Sequence, residues 1–464
     1  MVTGSATAAT AALSRSLRSR HVTMISMGGI IGAGLFVGSS AAIAAAGPGI
    51  LVSYVLAGLV ILLVMRMLSE MAAAYPGIGS FTEYARLGLG DLAGFVSGWL
   101  YWYFWVVVVA VEAIAGASVI AGWLAGWKSI PQWQIVLGLM TALTAVNLLS
   151  TRSYGEFEFW FASVKVAAIV AFIVVGAAYL LAGAPDGAGG LANLTAHGGF
   201  LPLGPVAVLA GVTTVIFSIT GAEIAIIAAA ESHESARTIA RLTVTILVRI
   251  LLFYVLSILL ILAIVPWDEI TPGVSPFVTA LERVGVPAAA LLMNVIVLTA
   301  VLSCLNSGVY VTSRVLFTLA AQGDAPQPLV ALTRRRVPAR AILLGSTMGY
   351  AAVLTSVVSP SVLFAFLLNT SGAIMLIVYL IAALAEIRLR RRLESEDRAR
   401  LSIRMWWYPY ASWLVVGAIV AVLVAMAFTP ASASQVYASL LCLAVAVAAY
   451  FVRRARRPAA ARAA

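Results

Sequence analysis

Twelve continuous apolar stretches divide the chain, near residues 22–46, 48–74, 92–122, 132–150, 158–182, 203–231, 241–266, 285–319, 340–359, 362–384, 409–428 and 434–452. Each is close to or above the roughly 20 apolar residues that a helix needs to cross a bilayer. The stretch 92–122 is long enough to cross with considerable tilt, and 285–319 is expected to run on into the cytoplasm. Turn signals such as Gly47-Pro48-Gly49, Tyr75-Pro76-Gly77 and Val265-Pro266-Trp267 separate the stretches. No linker or low-complexity segment marks a second domain. The pattern predicts an all-α polytopic membrane protein with twelve transmembrane helices, its Ala-rich ends at 1–13 and 458–464 expected to be disordered.

Composition reinforces this. Of 464 residues 62% are apolar and 10% charged, against about 25% charged in soluble domains. Such a chain cannot cover a water-facing surface, which excludes a cytosolic enzyme. The formal charge of +11 does not point to nucleic acid, because the arginines lie in short clusters between apolar runs, where they orient the chain. With the N-terminus inside, one side receives Arg15 to Arg20, Arg86, Arg152, Arg237, Arg241, Arg334 to Arg336, Arg340, Arg388 to Arg404 and Arg453 to Arg457. The other receives only Lys128 and Arg283. Both termini are therefore expected in the cytoplasm of a cell inner (plasma) membrane protein, with Trp123, Trp127, Trp133 and Trp267 at the outer interface. The first apolar run lacks a cleavage site and reads as a retained helix. Cys304 and Cys442 sit in apolar runs and read as small buried hydrophobes.

Two stretches break the helical pattern. Gly28-Gly29-Ile30-Ile31-Gly32-Ala33-Gly34 puts four glycines in seven positions, each weakening a helix by about 1 kcal/mol relative to alanine. Close packing of helices through small residues would explain one such run. Span six, however, carries Phe217-Ser218-Ile219-Thr220-Gly221-Ala222-Glu223, again small and polar at mid-membrane. Spans one and six are corresponding members of two five-helix halves, and interruptions at corresponding positions mark a transporter's binding site. Unwound backbone is tolerated there only where it is buried or lines a cavity. Past the first break, amide N–H groups and a positive dipole end suit a carboxylate, assigned to Gly32, Ala33 and Gly34. Before each break, free carbonyls suit an ammonium, assigned to Ile30, Phe217 and Thr220. A site with both features binds a zwitterion.

Glu112, Lys165 and Glu223 are ionisable residues set within spans, and charges at that depth are functional hypotheses by default. Glu223 starts the second half of helix six; it could meet the substrate ammonium, carry a coupled proton, or only brace the unwound segment. Lys165 on span five could alternate between charged and neutral forms, stand where a sodium ion would, or snorkel to the inner interface. Glu112 on span three has no assigned role. Arg66 and Glu70 share a helix face at i, i+4 and read as a surface pair.

These residues resemble the amino acid/polyamine/organocation (APC) transporters and, within them, the bacterial amino acid transporter family. The matching pieces are Ser14 to Met24, GGIIGAGLFVGSS at 28–40, RMLSEMA at 66–72, GSFTEYA at 79–85 and GWLYWYFW at 98–105. Further on come YGEFEFW at 154–160, FSITGAEIAIIAAAES at 217–232, SCLNSGVYVTSR at 303–314, GDAP at 323–326 and RMWWYP at 404–409. The resemblance implies ten core helices in two inverted five-helix repeats (a 5+5, LeuT-like fold) plus two peripheral helices. The corresponding layout is a tail to residue 21, repeats at 22–182 and 203–384, a basic cytoplasmic loop at 385–408, helices 11 and 12 within 409–452 and a tail from 453. It also implies proton-coupled uptake with Lys165 in place of a sodium ion, and substrate contacts at Ile30, Ala33, Gly34, Phe217 and Thr220. One departure is notable: Ala33 replaces a hydroxyl residue common in carriers of α-amino acids.

The expected function is import of a small zwitterionic amino acid with protons. The closest motif matches imply γ-aminobutyrate or a related omega-amino acid such as β-alanine, with Glu223 as a more distant anchor for its ammonium. An α-amino-acid permease or an exchanger is the alternative within transport, and an amino-acid sensor the alternative outside it. No metal-ligand spacing, serine–histidine nucleophile or phosphate loop is found, so no cofactor or metal is expected.

Overall fold

The computed structural model describes residue 17 and residues 19–32, 34–76, 78, 80–124, 130–183, 190–229, 236–358, 373–397 and 400–456. Ala33, Trp127, Lys128, Asp186, both Ala-rich ends and residues 362–372 of the tenth window lie outside the described residues. Most of the described chain is helical. The first window holds α1 (Ser19–Ile30), a π-helical turn (Gly34–Gly38) and α2 (Ser39–Ala46). Then follow α3 (Ile50–Ala74), α4 (Thr82–Leu89), α5 (Asp91–Leu124), α6 (Gln132–Leu149), α7 (Thr151–Leu181) and the single turn α8 (Asn193–Ala196). The second half runs through α9 (Gly204–Ile219), α10 (Ile224–Ala229), α11 (Ala236–Ile264), α12 (Pro276–Arg283), α13 (Ala289–Ala321), α14 (Ala339–Val358) and α15 (Ile374–Glu396). The chain closes with α16 (Tyr410–Phe428) and α17 (Pro430–Arg456).

Among the described residues, eight helical stretches are long and apolar enough to cross a membrane. Large apolar side chains such as Leu59, Val174, Leu252 and Leu414 stand at least half exposed on them, as a lipid-facing surface requires. Helix starts follow local chemistry. Ser150 caps α7, its Oγ accepting the Ser153 amide at 3.0 Å. This cap starts the helix at Thr151, ahead of the apolar window that begins at 158, and so places YGEFEFW on the same helix as Lys165.

The helices pack as two groups. α3 lies between α9 and α11, and α1 rests on α7, α10, α11 and α13. α5, α6, α13 and α14 form the second group, each touching the other three except that α6 and α13 meet over a shorter face. α15 crosses α3, α4 and α5, while α16 and α17 pack together on the outside, against α3 and α9 and against α5.

Buried charges tie the arginine-rich end together. Arg86 of α4 bonds Glu83 at 3.2 Å, Asp91 at the start of α5, and Asp324 just past α13. Arg453 near the end of α17 reaches Asp324 and, at 3.1 Å, Asp91. Gln322 donates to Glu83 at 2.8 Å. The Arg66–Glu70 surface pair is corrected. Glu70 is buried and bonds Arg390 at 2.6 Å and the Met405 amide. Arg66 instead donates to the Arg404 carbonyl at 2.6 and 2.9 Å and stacks on Trp406. Tertiary partners on α15 and in the following loop offered stronger, buried contacts than an exposed i, i+4 pair does.

Removing one partner from a buried ion pair costs about 3–5 kcal/mol. Arg86→Ala, which leaves Glu83 with Gln322 and Asp324 with Arg453, should therefore lower the unfolding temperature in detergent. Burial pushes the Glu83 carboxyl above the usual carboxylate range, Arg86 opposing and Asp324 adding to the shift. Glu83 thus holds its proton more firmly folded than unfolded, so stability should fall as pH rises from the ordinary carboxylate value to the raised one. Glu83→Gln should remove that part of the slope in thermal unfolding against pH.

Candidate functional site

The two interruptions interlock. α1 stops at Ile30, and Gly32 lies in the bend before the π turn. α9 stops at Ile219, and Thr220, with φ −60° and ψ 144°, leads through Gly221 to Glu223 before α10 begins. Gly221 has φ +123°, a conformation that favours glycine. A Cβ there would stand 2.1 Å from the Gly29 carbonyl oxygen, and one on Gly34 2.9 Å from the Ser218 Cβ. The Tyr254 hydroxyl joins the breaks by donating to the Ile30 carbonyl at 2.9 Å and the Ser218 carbonyl at 3.2 Å. Among the described residues, no backbone carbonyl accepts from the amides of Gly32 or Gly34.

Lys165 is fully buried and committed to the first break. Its Nζ donates to the Gly28 carbonyl at 2.7 Å, the Ile31 carbonyl at 2.6 Å and Ser303 Oγ at 2.8 Å. An ammonium has three donors, and all are used. Ser303 in turn donates to Glu158 Oε1. Glu158, fully buried, presses so closely on Gly28 that a Cβ there would fall 1.9 Å from its oxygen. The sequence reading did not single out Glu158. Its signal was present: it precedes Lys165 by seven residues, about two turns, and so shares its helix face.

Glu223 closes the second break. Its Oε2 accepts from the Tyr379 hydroxyl at 2.8 Å and the Gly221 amide at 3.1 Å, and its Oε1 accepts from the Tyr101 hydroxyl at 3.2 Å. Neither tyrosine was picked out from sequence.

Between the breaks lies a cavity of about 30 Å³, room for roughly two waters. Gly29, Ile30, Gly32 and Gly34 line it from the first break, Ser218 and Thr220 from the end of α9 and the second break. Phe104, Trp105, Val108 and Glu112 of α5 and Cys304 of α13 complete the wall. The Ser218 and Thr220 hydroxyls donate to carbonyls of their own helix at 2.8 and 2.9 Å. Of the residues assigned from sequence, Ile30, Gly32, Gly34 and Thr220 thus share one wall. Glu223 and Lys165 stand behind it, Phe217 contributes backbone at the end of α9, and Ala33 lies outside the described residues. Cys304 is buried, as expected, and also faces the cavity beside Glu112.

A cavity lined by the backbone of two interrupted helices, inside an apolar helical bundle, is the arrangement of a membrane carrier for a small polar solute. Residues 21–460 match the family described as Amino acid permease, and the chain belongs to that family. It is 46% identical to the gamma-aminobutyric acid permease of Bacillus subtilis, over 96% of this chain and 94% of that protein. It is 45% identical to a probable GABA permease of Pseudomonas aeruginosa, over 97% and 94%. The aromatic amino acid transport protein AroP of Corynebacterium glutamicum is 37% identical over 92% of both chains.

Gly221→Ala should abolish amino acid uptake and lower thermal stability, since the added Cβ meets backbone that cannot give way. Gly34→Leu should abolish substrate binding, measured by radioligand binding to purified protein, because its side chain would enter the space beside Ser218.

Proposed function

We propose that this permease imports γ-aminobutyrate, or a related omega-amino acid, with protons across the bacterial plasma membrane. The single observation that carries the substrate class is the cavity wall. It joins unpaired amides of the first break, suited to a carboxylate, to the carbonyl side of both breaks, suited to an ammonium. The choice of γ-aminobutyrate draws on the relatives named for it at 45–46% identity. The 37% identity to an aromatic amino acid carrier keeps an α-amino acid as the second reading.

Twelve spans in two inverted five-helix repeats, with both termini cytoplasmic, complete the proposal. The helix contacts support the repeats. Numbering the spans one to twelve, several strong contacts have a counterpart five spans on: two–six with seven–one, three–four with eight–nine, five–seven with ten–two, five–eight with ten–three. The arginine clusters support the orientation.

Proton coupling is assigned to Lys165. While charged it bonds Gly28, Ile31 and Ser303; once neutral it loses a donor and the first break loosens. Glu223, with both oxygens bonded to Tyr101, Tyr379 and Gly221, is proposed to hold the second break in shape.

In proteoliposomes, unlabelled γ-aminobutyrate and β-alanine should compete with γ-aminobutyrate uptake better than proline, lysine, arginine or phenylalanine. Stronger competition by an α-amino acid would reject the substrate choice. Lys165→Ala should bind substrate yet lose stimulation by an imposed pH gradient; wild-type stimulation in that variant would remove the lysine from the coupling step.

A further inference from the structure

The cavity wall carries one carboxyl group that neither break uses. Glu112 of α5 lies in the wall and is only 7% exposed. Its Oε1 stands 3.6 Å from where a Gly32 Cβ would be, and the Cys304 Sγ stands 3.7 Å from the same point. Its Oε2 is buried with no hydrogen-bond partner among the described residues. A buried polar atom left so is costly, and a ligand atom that satisfies it is favoured.

We infer that Glu112 carries a proton of its own, separate from the one assigned to Lys165, and donates it in a hydrogen bond to the substrate carboxylate, so that this proton and the substrate occupy the cavity together. The inference rests on the carrier reading above, which seats that carboxylate on the amides of Gly32 to Gly34, beside Glu112. Two carboxylates in contact away from water cannot both be ionised; they hold one proton between them. The proton stays on Glu112 while the substrate is bound and leaves to the far side when the substrate does.

Linkage fixes the direction. If proton and carboxylate favour each other's binding, each raises the affinity for the other, as symport requires. Were Glu112 instead the partner of the substrate ammonium, binding would expel the proton and coupling would run the opposite way. The other titratable groups that act on Glu112 are Cys304 and Lys165. The lysine is already committed to Gly28, Ile31 and Ser303, leaving Glu112 free to serve the ligand. Ala33 offers no side-chain hydroxyl to the carboxylate, and the Glu112 carboxyl supplies that missing donor.

The test uses the purified full-length protein. In weakly buffered solution with a pH indicator, adding γ-aminobutyrate to the wild type should take protons up from solution; release of protons would overturn the inference. Binding of γ-aminobutyrate should weaken toward alkaline pH, at the limit by about tenfold per pH unit for one linked proton. Butyrate, which has only the carboxylate, should show the same trend, and butylamine should not. Glu112→Gln keeps a donor but no titration, and should bind with an affinity that no longer follows pH; Glu112→Met should bind weakly throughout. A wild-type slope in Glu112→Gln, or loss of binding at every pH in a Glu112→Gln protein that melts like wild type, would reject the role. If an α-amino acid binds and γ-aminobutyrate does not, only the substrate choice falls, and the same measurements are made with that amino acid. If no amino acid binds the wild type, the carrier reading fails and takes this inference with it.

Discussion

Everything at the centre of this protein follows from one constraint: a peptide group opened inside a membrane must find a partner there. The two interrupted helices release several N–H and C=O groups at a depth where water is scarce. Three carbonyls of the first break are met by donors from other helices. Lys165 takes Gly28 and Ile31, and Tyr254 takes Ile30 together with Ser218. At the second break, Glu223 takes the Gly221 amide and is itself held by two tyrosines. Among the described residues, what remains open includes the Gly32 and Gly34 amides and a few side chains, and that remainder is the candidate site.

The same logic explains why glycine is needed where the breaks touch. The Gly29 carbonyl and Gly221 approach so closely that no side chain fits between them, and Gly28 yields its space to the Glu158 carboxyl. Close approach lets one lysine bridge α7, the first break and α13. A change in the charge of that lysine is therefore felt by three helices at once. This gives a buried titratable group a structural consequence, which is what coupling a proton to a conformational change demands.

Much of the site was legible in advance because its signals are exceptions to a uniform background. In a chain where 62% of residues are apolar, a run of glycines or a lone lysine at mid-span stands out. Glu158 did not stand out, because it sits at the edge of an apolar window and the Ser150 cap that extends the helix past it is a local detail. Glu70 and Arg66 were legible as an i, i+4 pair, yet both found partners on other elements. Their true partners, Arg390 and the Arg404 carbonyl, lie more than 300 residues away, a distance over which spacing carries no information.

By itself the sequence determined that this is a helical membrane protein, where its helices break and which family it resembles. Those properties come from hydrophobic runs, local backbone preference and motifs, all short-range quantities. Only the tertiary structure decided which charges meet. It put Glu223 behind the wall and Glu112 in it, although both are single carboxylates in apolar spans. The physical reason is that a side chain's role here depends on which donors the neighbouring helices bring within bonding distance. Tyr101 and Tyr379 satisfy Glu223, whereas one oxygen of Glu112 is left without a partner.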